Sequence, residues 1–257
     1  MSLRSPKHIF ITGVSSGIGK ALALHYAAPD ITLGLVARRE DRLRDVERDC
    51  VAKGARVVLY PNDVTDRAAM LEAACHFSTA SGGADLVIAN AGTTSYGDTR
   101  QAYYDIDALS RVFEVNLIGV LNTIVPFLKE AVTASRPMDF AAVGSVAGFR
   151  ALPSGSYSAS KAGLKVLMDT WRLIFQPHGL RFTTICPGFI ESEMTAKDAF
   201  APAHMYPTAK AATLIANALA RGKKTFVFPA RYGPVTRLLP WLPDAVIRLA
   251  TANKMRD

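Results

Sequence analysis

Seven short runs rich in Ile, Val, Leu, Phe and Ala recur along the chain with helix-length stretches between them. This alternation restricts the fold more than any other feature. The runs cover residues 8–13, 32–38, 56–60, 86–90, 140–145, 182–186 and 225–228. Most are apolar throughout instead of alternating, and Leu86-Val87-Ile88-Ala89 is typical. A strand of that pattern is covered on both faces, as in a parallel sheet. The stretches between carry helical patterns, as at 42–52, 67–79 and 158–175. The order predicts an α/β fold, a doubly wound parallel sheet of about seven strands with helices on both faces. No Pro/Gly/Ser-rich linker, repeat or composition break divides residues 1–257, so a single domain is expected.

Composition removes several other classes. The chain is 49% hydrophobic and 20% charged, which supplies a sizeable core and excludes a disordered segment. Its three cysteines (Cys50, Cys75, Cys186) are odd in number, widely spaced and form no CxxC. A disulfide framework and a structural zinc site are therefore not expected, and a reducing compartment fits. The five histidines show no ligand spacing, so no metal is expected either. No apolar run reaches the ~18 residues of a membrane span, and the first residues lack a signal-peptide core. The expectation is a soluble, cytoplasmic protein. The net charge of +8 gathers partly in Arg38, Arg39, Arg42, Arg44 and Arg48, and partly in Arg221, Lys223, Lys224, Arg231 and Arg237. Neither group is interleaved with aromatic platforms, so a solvated basic surface is preferred to a nucleic-acid partner.

After the first run comes Thr12-Gly13-Val14-Ser15-Ser16-Gly17-Ile18-Gly19, followed by a helix expected over 20–28. Gly-x3-Gly-x-Gly is one variant of a dinucleotide-binding loop. The glycines let backbone approach a pyrophosphate, and the helix start offers it N–H groups. Any tight strand-to-helix turn also uses glycine, but this place, at the first strand-to-helix junction, favours a nucleotide. The end of the second run then meets the adenosine ribose. A carboxylate there bonds the 2′-hydroxyl of NAD, whereas a guanidinium suits the 2′-phosphate of NADP. The chain reads Leu35-Val36-Ala37-Arg38-Arg39, so NADP(H) is preferred over NAD(H). The competing reading is a solvated arginine pair with Glu40 and Asp41 as partners.

Tyr157-Ser158-Ala159-Ser160-Lys161 opens the strongest helical stretch. Tyr157 and Lys161 are four residues apart and share a face. A free phenol titrates near 10, too high for easy proton exchange at neutrality. An ammonium ~4 Å away, at an effective dielectric of ~20, favours the phenolate by ~4 kcal/mol. That brings a tyrosine into the range of a general acid/base. A plain surface contact has the same spacing.

The glycine loop, Asn90-Ala91-Gly92, Asn116, Ser145, Tyr157-x3-Lys161 and Pro187-Gly188 follow one another in an order that resembles a short-chain dehydrogenase/reductase of the single-domain type. The resemblance runs from residue 8 to about residue 192 and implies a Rossmann-like fold that passes hydride between a nicotinamide and a carbonyl/alcohol carbon. It implies Tyr157 as acid in reduction and base in oxidation, with Lys161 lowering its pKa and holding the nicotinamide ribose. Ser145 would bond the substrate oxygen, and Asn116 would hold, through its main-chain carbonyl, a water linking Lys161 to solvent. Gly13, Ser15, Ser16, Gly17, Ile18 and Gly19 would cradle the pyrophosphate, with Arg38 and Arg39 at the 2′-phosphate. Asp63 and Val64 would meet the adenine, and Asn90, Ala91 and Gly92 its ribose. Pro187, Gly188, Ile190 and Ser192 would hold the carboxamide, Ser192 standing where the family usually has Thr. The 145–157 segment is one residue shorter than is common. Without the resemblance, Asn90 and Gly92 read as strand ends, and Ser145 as a hydroxyl bonded to its own turn.

Substrate choice lies in loops. Phe149, Leu152 and Met194 are expected to join Ser145 around the reacting carbon, under a lid at 193–206. That lining favours an apolar ketone, aldehyde or alcohol over a sugar. The helices bearing Asn116 and Tyr157 have almost no polar face, so a homodimer or homotetramer through them is expected. The tail, 232–257, mixes Leu238, Leu239, Trp241, Leu242, Val246, Ile247 and Leu249 with Arg231, Arg237, Arg248, Lys254 and Arg256. It resembles an interfacial segment able to touch anionic lipid. Its prolines interrupt any continuous amphipathic helix, so packing over the pocket or a neighbouring subunit is preferred, with Asp244 capping a short helix. A non-catalytic NADP(H)-binding sensor or assembly protein is the alternative function. The joint presence of Ser145, Tyr157 and Lys161 argues against it, and the glycine spacing argues against an epimerase or dehydratase.

Overall fold

The computed structural model describes residues 5–94, 104–150, 155–195 and 205–251. In it the seven apolar runs become β1 (His8–Thr12), β2 (Thr32–Val36), β3 (Arg56–Tyr60), β4 (Leu86–Ala89), β5 (Asp139–Val143), β6 (Arg181–Pro187) and β7 (Thr225–Phe228). They form one sheet in the order 3-2-1-4-5-6-7, every neighbouring pair parallel. The strands keep to the expected limits within two residues, because apolar side chains mark nearly every position of the buried inner strands and run through the half-buried edge strands β3 and β7 as well.

The helices between the strands cover both faces. Against one lie α1 (Gly17–Tyr26), α2 (Glu40–Val51) and α7 (Thr208–Ala220), closing over Ile9, Ile11, Leu22, Leu43 and Ile215. Against the other lie α3 (Arg67–Ser81), α5 (Gly119–Thr133) and α6 (Ser156–Phe175), around Phe10, Phe77 and Phe127. The Phe10 ring centroid is 5.4 Å from that of Phe77 and 4.9 Å from that of Phe127. Each such ring, fully buried, contributes about 2–3 kcal/mol of transfer free energy. Successive residues of β1 thus serve opposite cores, as the pleat requires.

Two local features depart from the expected pattern. α1 starts at Gly17, not at residue 20, so half of the glycine loop is already its first turn. α4 (Ile106–Phe113) runs through a π turn, Glu114–Ile118, directly into α5. This continuous run, Ile106–Thr133, is long and apolar enough to cross a membrane, yet it packs on the sheet, α3 and α6 and buries Asn116, Asn122 and Thr123.

Candidate active site

Strand order reverses between β1 and β4, which opens a crevice at their carboxyl ends, where ligands of such sheets bind. Asn90 and Ala91 donate their N–H groups to Thr12 Oγ1 at 3.1 and 3.2 Å, and Asn90 Nδ2 donates to the carbonyls of Thr12 (2.9 Å) and Gly13 (3.1 Å). Gly13 sits at φ +72°, where a Cβ would stand 2.7 Å from Ala91 Cα. A Cβ on Gly19 would stand 2.3 Å from the Gly13 carbonyl oxygen, so Gly19 supports the loop from behind and does not line the crevice. The start of α1 has neither a side-chain cap from Ser16 nor an acidic residue in its first turn. Its N–H groups and positive helix end therefore suit an anion.

The crevice widens into a cleft of 760 Å³. Ser15, Ser16, Gly17 and Ile18 line its glycine-loop side, and Asn90, Ala91 and Gly92 its floor. Pro187, Gly188, Ile190 and Ser192 line the wall that follows β6. At one end Arg38, Arg39, Asp63 and Val64 meet Arg111 of α4, which the sequence did not single out. Asp63 Oδ1 accepts from the Thr65 N–H (3.0 Å) and hydroxyl (2.9 Å), and Oδ2 from Arg111 (2.7 Å). Burial favours the neutral acid, but these donors together outweigh it and hold the Asp63 carboxyl at about 2. Arg38 stands 3.6 Å from Asp63 with its side chain 67% exposed, while Arg39 reaches Ser15 (3.1 Å) and Glu193 (3.0 Å).

At the other end Ser145, Tyr157 and Lys161 share the cleft. The Lys161 ammonium is buried, donates to the Val143 carbonyl at 2.7 Å and lies 5.7 Å from the Tyr157 ring centroid. Removal from water lowers its pKa to about 8. Ser145 Oγ accepts the Ala147 N–H at 3.1 Å, the turn bond that the plain reading anticipates, and its O–H stays available to donate.

These features coincide with one family of proteins. The short chain dehydrogenase family matches residues 7–202. The chain belongs to it.

An uncharacterized oxidoreductase of Myxococcus xanthus is 32% identical over 257 residues, covering all of both chains. A short chain dehydrogenase/reductase from Burkholderia phymatum, solved in complex with NAD, superposes with a TM-score of 0.83 at 23% identity over 100% of this chain and 98% of its own. A short-chain dehydrogenase from Sphingobium yanoikuyae, in complex with NADPH, gives 0.79 at 21% identity over 97% and 96%. This short-chain dehydrogenase is thus an oxidoreductase acting with NAD(P) on a small molecule.

The structure does not bring every expected residue into the cleft of this dehydrogenase. Asn116 lies behind it: its amide accepts the Thr93 N–H (2.8 Å) and donates to the Thr93 carbonyl (2.9 Å) and Ser160 Oγ (3.0 Å). Ser160 in turn donates to the Tyr157 carbonyl at 2.8 Å, so Asn116 braces the first turn of α6. Phe149 also stays outside, its ring 5.7 Å from the Lys165 ammonium. Met194 lines the cleft, and Leu152 falls outside the described residues, as do 196–204 of the expected lid. Ser192 exchanges hydrogen bonds with Thr195. Asp244, expected as a cap, is the first residue of its helix and pairs with Arg150.

Proposed function

We propose that this dehydrogenase uses NADP(H) to interconvert a carbonyl and an alcohol on an apolar small molecule, with Tyr157 as the general acid/base. The observation that carries the reading is the buried Lys161 ammonium beside Tyr157, with no carboxylate paired to it among the described residues. An unneutralised cation in a low-dielectric wall favours the phenolate of a neighbouring tyrosine. In reduction, Tyr157 Oη gives its proton to the substrate oxygen; in oxidation it takes that proton back. Ser145 Oγ donates to the same oxygen and stabilises charge that develops there. Asn116 keeps the turn bearing Tyr157 in place, and its main-chain carbonyl is the expected holder of a water reaching Lys161.

The cleft residues fit a dinucleotide. The uncapped start of α1 and the Cβ-free Gly13 leave room and donors for a pyrophosphate, and Asp63 is an ionised acceptor for an adenine amino group. When bound, the cofactor supplies or accepts the hydride. Pro187, Gly188, Ile190 and Ser192 would hold its carboxamide, and Asn90, Ala91 and Gly92 would flank its adenine-side ribose.

NADP(H) is favoured because no carboxylate closes β2 and Arg38 stands at the cleft edge on a long, exposed ion pair. Such a pair is worth about 0–1 kcal/mol, so a 2′-phosphate readily draws Arg38 away. An apolar substrate is favoured by Met194 in the cleft lining. The same reading includes a homodimer or homotetramer through α5 and α6. Its support is the large apolar side chains left exposed on the run from α4 to α5 (Phe113, Ile118 and Val125) and on α6 (Val166, Leu173 and Ile174).

The test is oxidation of NADPH and of NADH against a panel of hydrophobic aldehydes, diketones and ketosteroids. NADPH should be the better donor, and Arg38→Asp should move the kcat/KM ratio toward NADH by about 10–100-fold. Equal use of both cofactors by the wild type, or no change in Arg38→Asp, overturns the assignment.

A further inference from the structure

The C-terminal segment has one side fixed to the wall of the cleft and the other turned to solvent. It comprises α8 (Tyr232–Leu238), a 3-10 turn (Leu239–Trp241) and α9 (Asp244–Thr251). On the inner side the Tyr232 ring lies against Gly188, so closely that a Cβ there would stand 2.3 Å from it. Thr236 is buried, and Arg150 donates to the Leu242 carbonyl at 3.3 Å and pairs with Asp244. Gly188 lines the cleft and Arg150 follows the turn capped by Ser145, so the segment borders the substrate end.

On the outer side Leu238 is 64% exposed, Trp241 85% and Leu249 81%, with Val235 and Val246 nearly half exposed. Val235, Leu238 and Trp241 are spaced by three, which keeps them together as α8 tightens into the 3-10 turn. Val246 and Leu249 repeat the spacing on α9. The prolines do interrupt the segment, as the sequence implies, but the short pieces still present their large apolar groups to water. Grouped exposure of this kind marks an interaction surface.

Charge selects the partner. Between residues 231 and 251, Arg231, Arg237 and Arg248 stand against one carboxylate, Asp244, and Arg150 takes that one up. Two copies meeting through this stretch would bring like charges together, whereas an anionic lipid surface matches both the cations and the Trp/Leu side chains. We propose that this face docks the enzyme peripherally on an anionic bilayer, Leu238, Trp241 and Leu249 entering the interface and Arg237 meeting lipid phosphates. The substrate end of the cleft then opens beside the lipid.

Co-sedimentation of the full chain with sucrose-loaded vesicles tests this without any turnover, so its failure is separate from failure of the catalytic reading. The protein should pellet with phosphatidylcholine vesicles that contain a third phosphatidylglycerol, at low salt, and remain in solution with phosphatidylcholine alone. Arg237→Gln should weaken the partition about fivefold, and Leu238→Ser/Trp241→Ser should abolish it with an unchanged melting temperature. In a Trp171→Phe background the Trp241 emission should shift to the blue on adding the anionic vesicles. Equal recovery with and without vesicles, or an unmoved Trp241 emission, overturns the proposal. A lipid-independent doubling of mass that Leu238→Ser/Trp241→Ser removes would give the face to a second copy instead.

Discussion

Lys161 shows how much a single position decides. Its spacing from Tyr157 was visible in the sequence, but its burial was not, because a lysine near a helix start is ordinarily solvated. Burial lowers the ammonium from 10.5 to about 8. Unfolding restores 10.5, so between pH 8 and 10.5 the unfolded chain binds more protons and the folded state gains stability as pH rises. Denaturant unfolding of the wild type and of Lys161→Met across that window should show their difference climbing, by at most about 1.4 kcal/mol per pH unit. A flat difference contradicts a buried cation. Arg111 and Glu193 show the opposite case. Both line the cleft and pair with residues far away in sequence, Arg111 with Asp63 and Glu193 with Arg39. No local spacing announces such contacts; only the folded sheet brings them together.

Strands with an apolar side chain at nearly every position write themselves into the sequence residue by residue, which is why β1 to β7, the half-buried edges β3 and β7 included, were legible almost to their ends. The turn between α4 and α5 was not. A π turn adds one residue to a 3.6-residue period, and Phe113, Ile118 and Val125, apolar but exposed, blur the phase that would reveal it. The turn seats Asn116 against Thr93 and Ser160, and so ties the strand end after β4 to the first turn of α6. Asn116→Leu leaves the N–H and carbonyl of Thr93 without that partner in a half-buried place. The unfolding free energy should fall by about 2–4 kcal/mol, and kcat with it, since the Tyr157 turn loses its brace. Stability equal to that of the wild type would show that the bonds to Thr93 contribute nothing.

At the scale of the whole molecule, the sequence showed helices too apolar for one sheet to hide, and the structure locates the excess on α6 and on the run from α4 to α5. Val166, Leu173 and Ile174 remain open to solvent while Leu164 and Met168 fill the core. Light scattering at micromolar concentration should give twice or four times the chain mass of 27.7 kDa. Val166→Glu/Leu173→Glu should return it to a single chain, because each buried carboxylate would need a partner the interface does not supply. A wild type that stays a single chain contradicts the oligomer. The proposed function makes of the fold, its glycine loop and the Tyr157 turn a cleft in which one phenol exchanges a proton with a carbonyl oxygen. Tyr157→Phe tests that most directly, because it removes one oxygen and leaves the ring. With the best substrate of the panel, kcat should drop about 10²–10⁴-fold while NADPH still binds, as read by its fluorescence. Turnover at the wild-type rate would contradict the account.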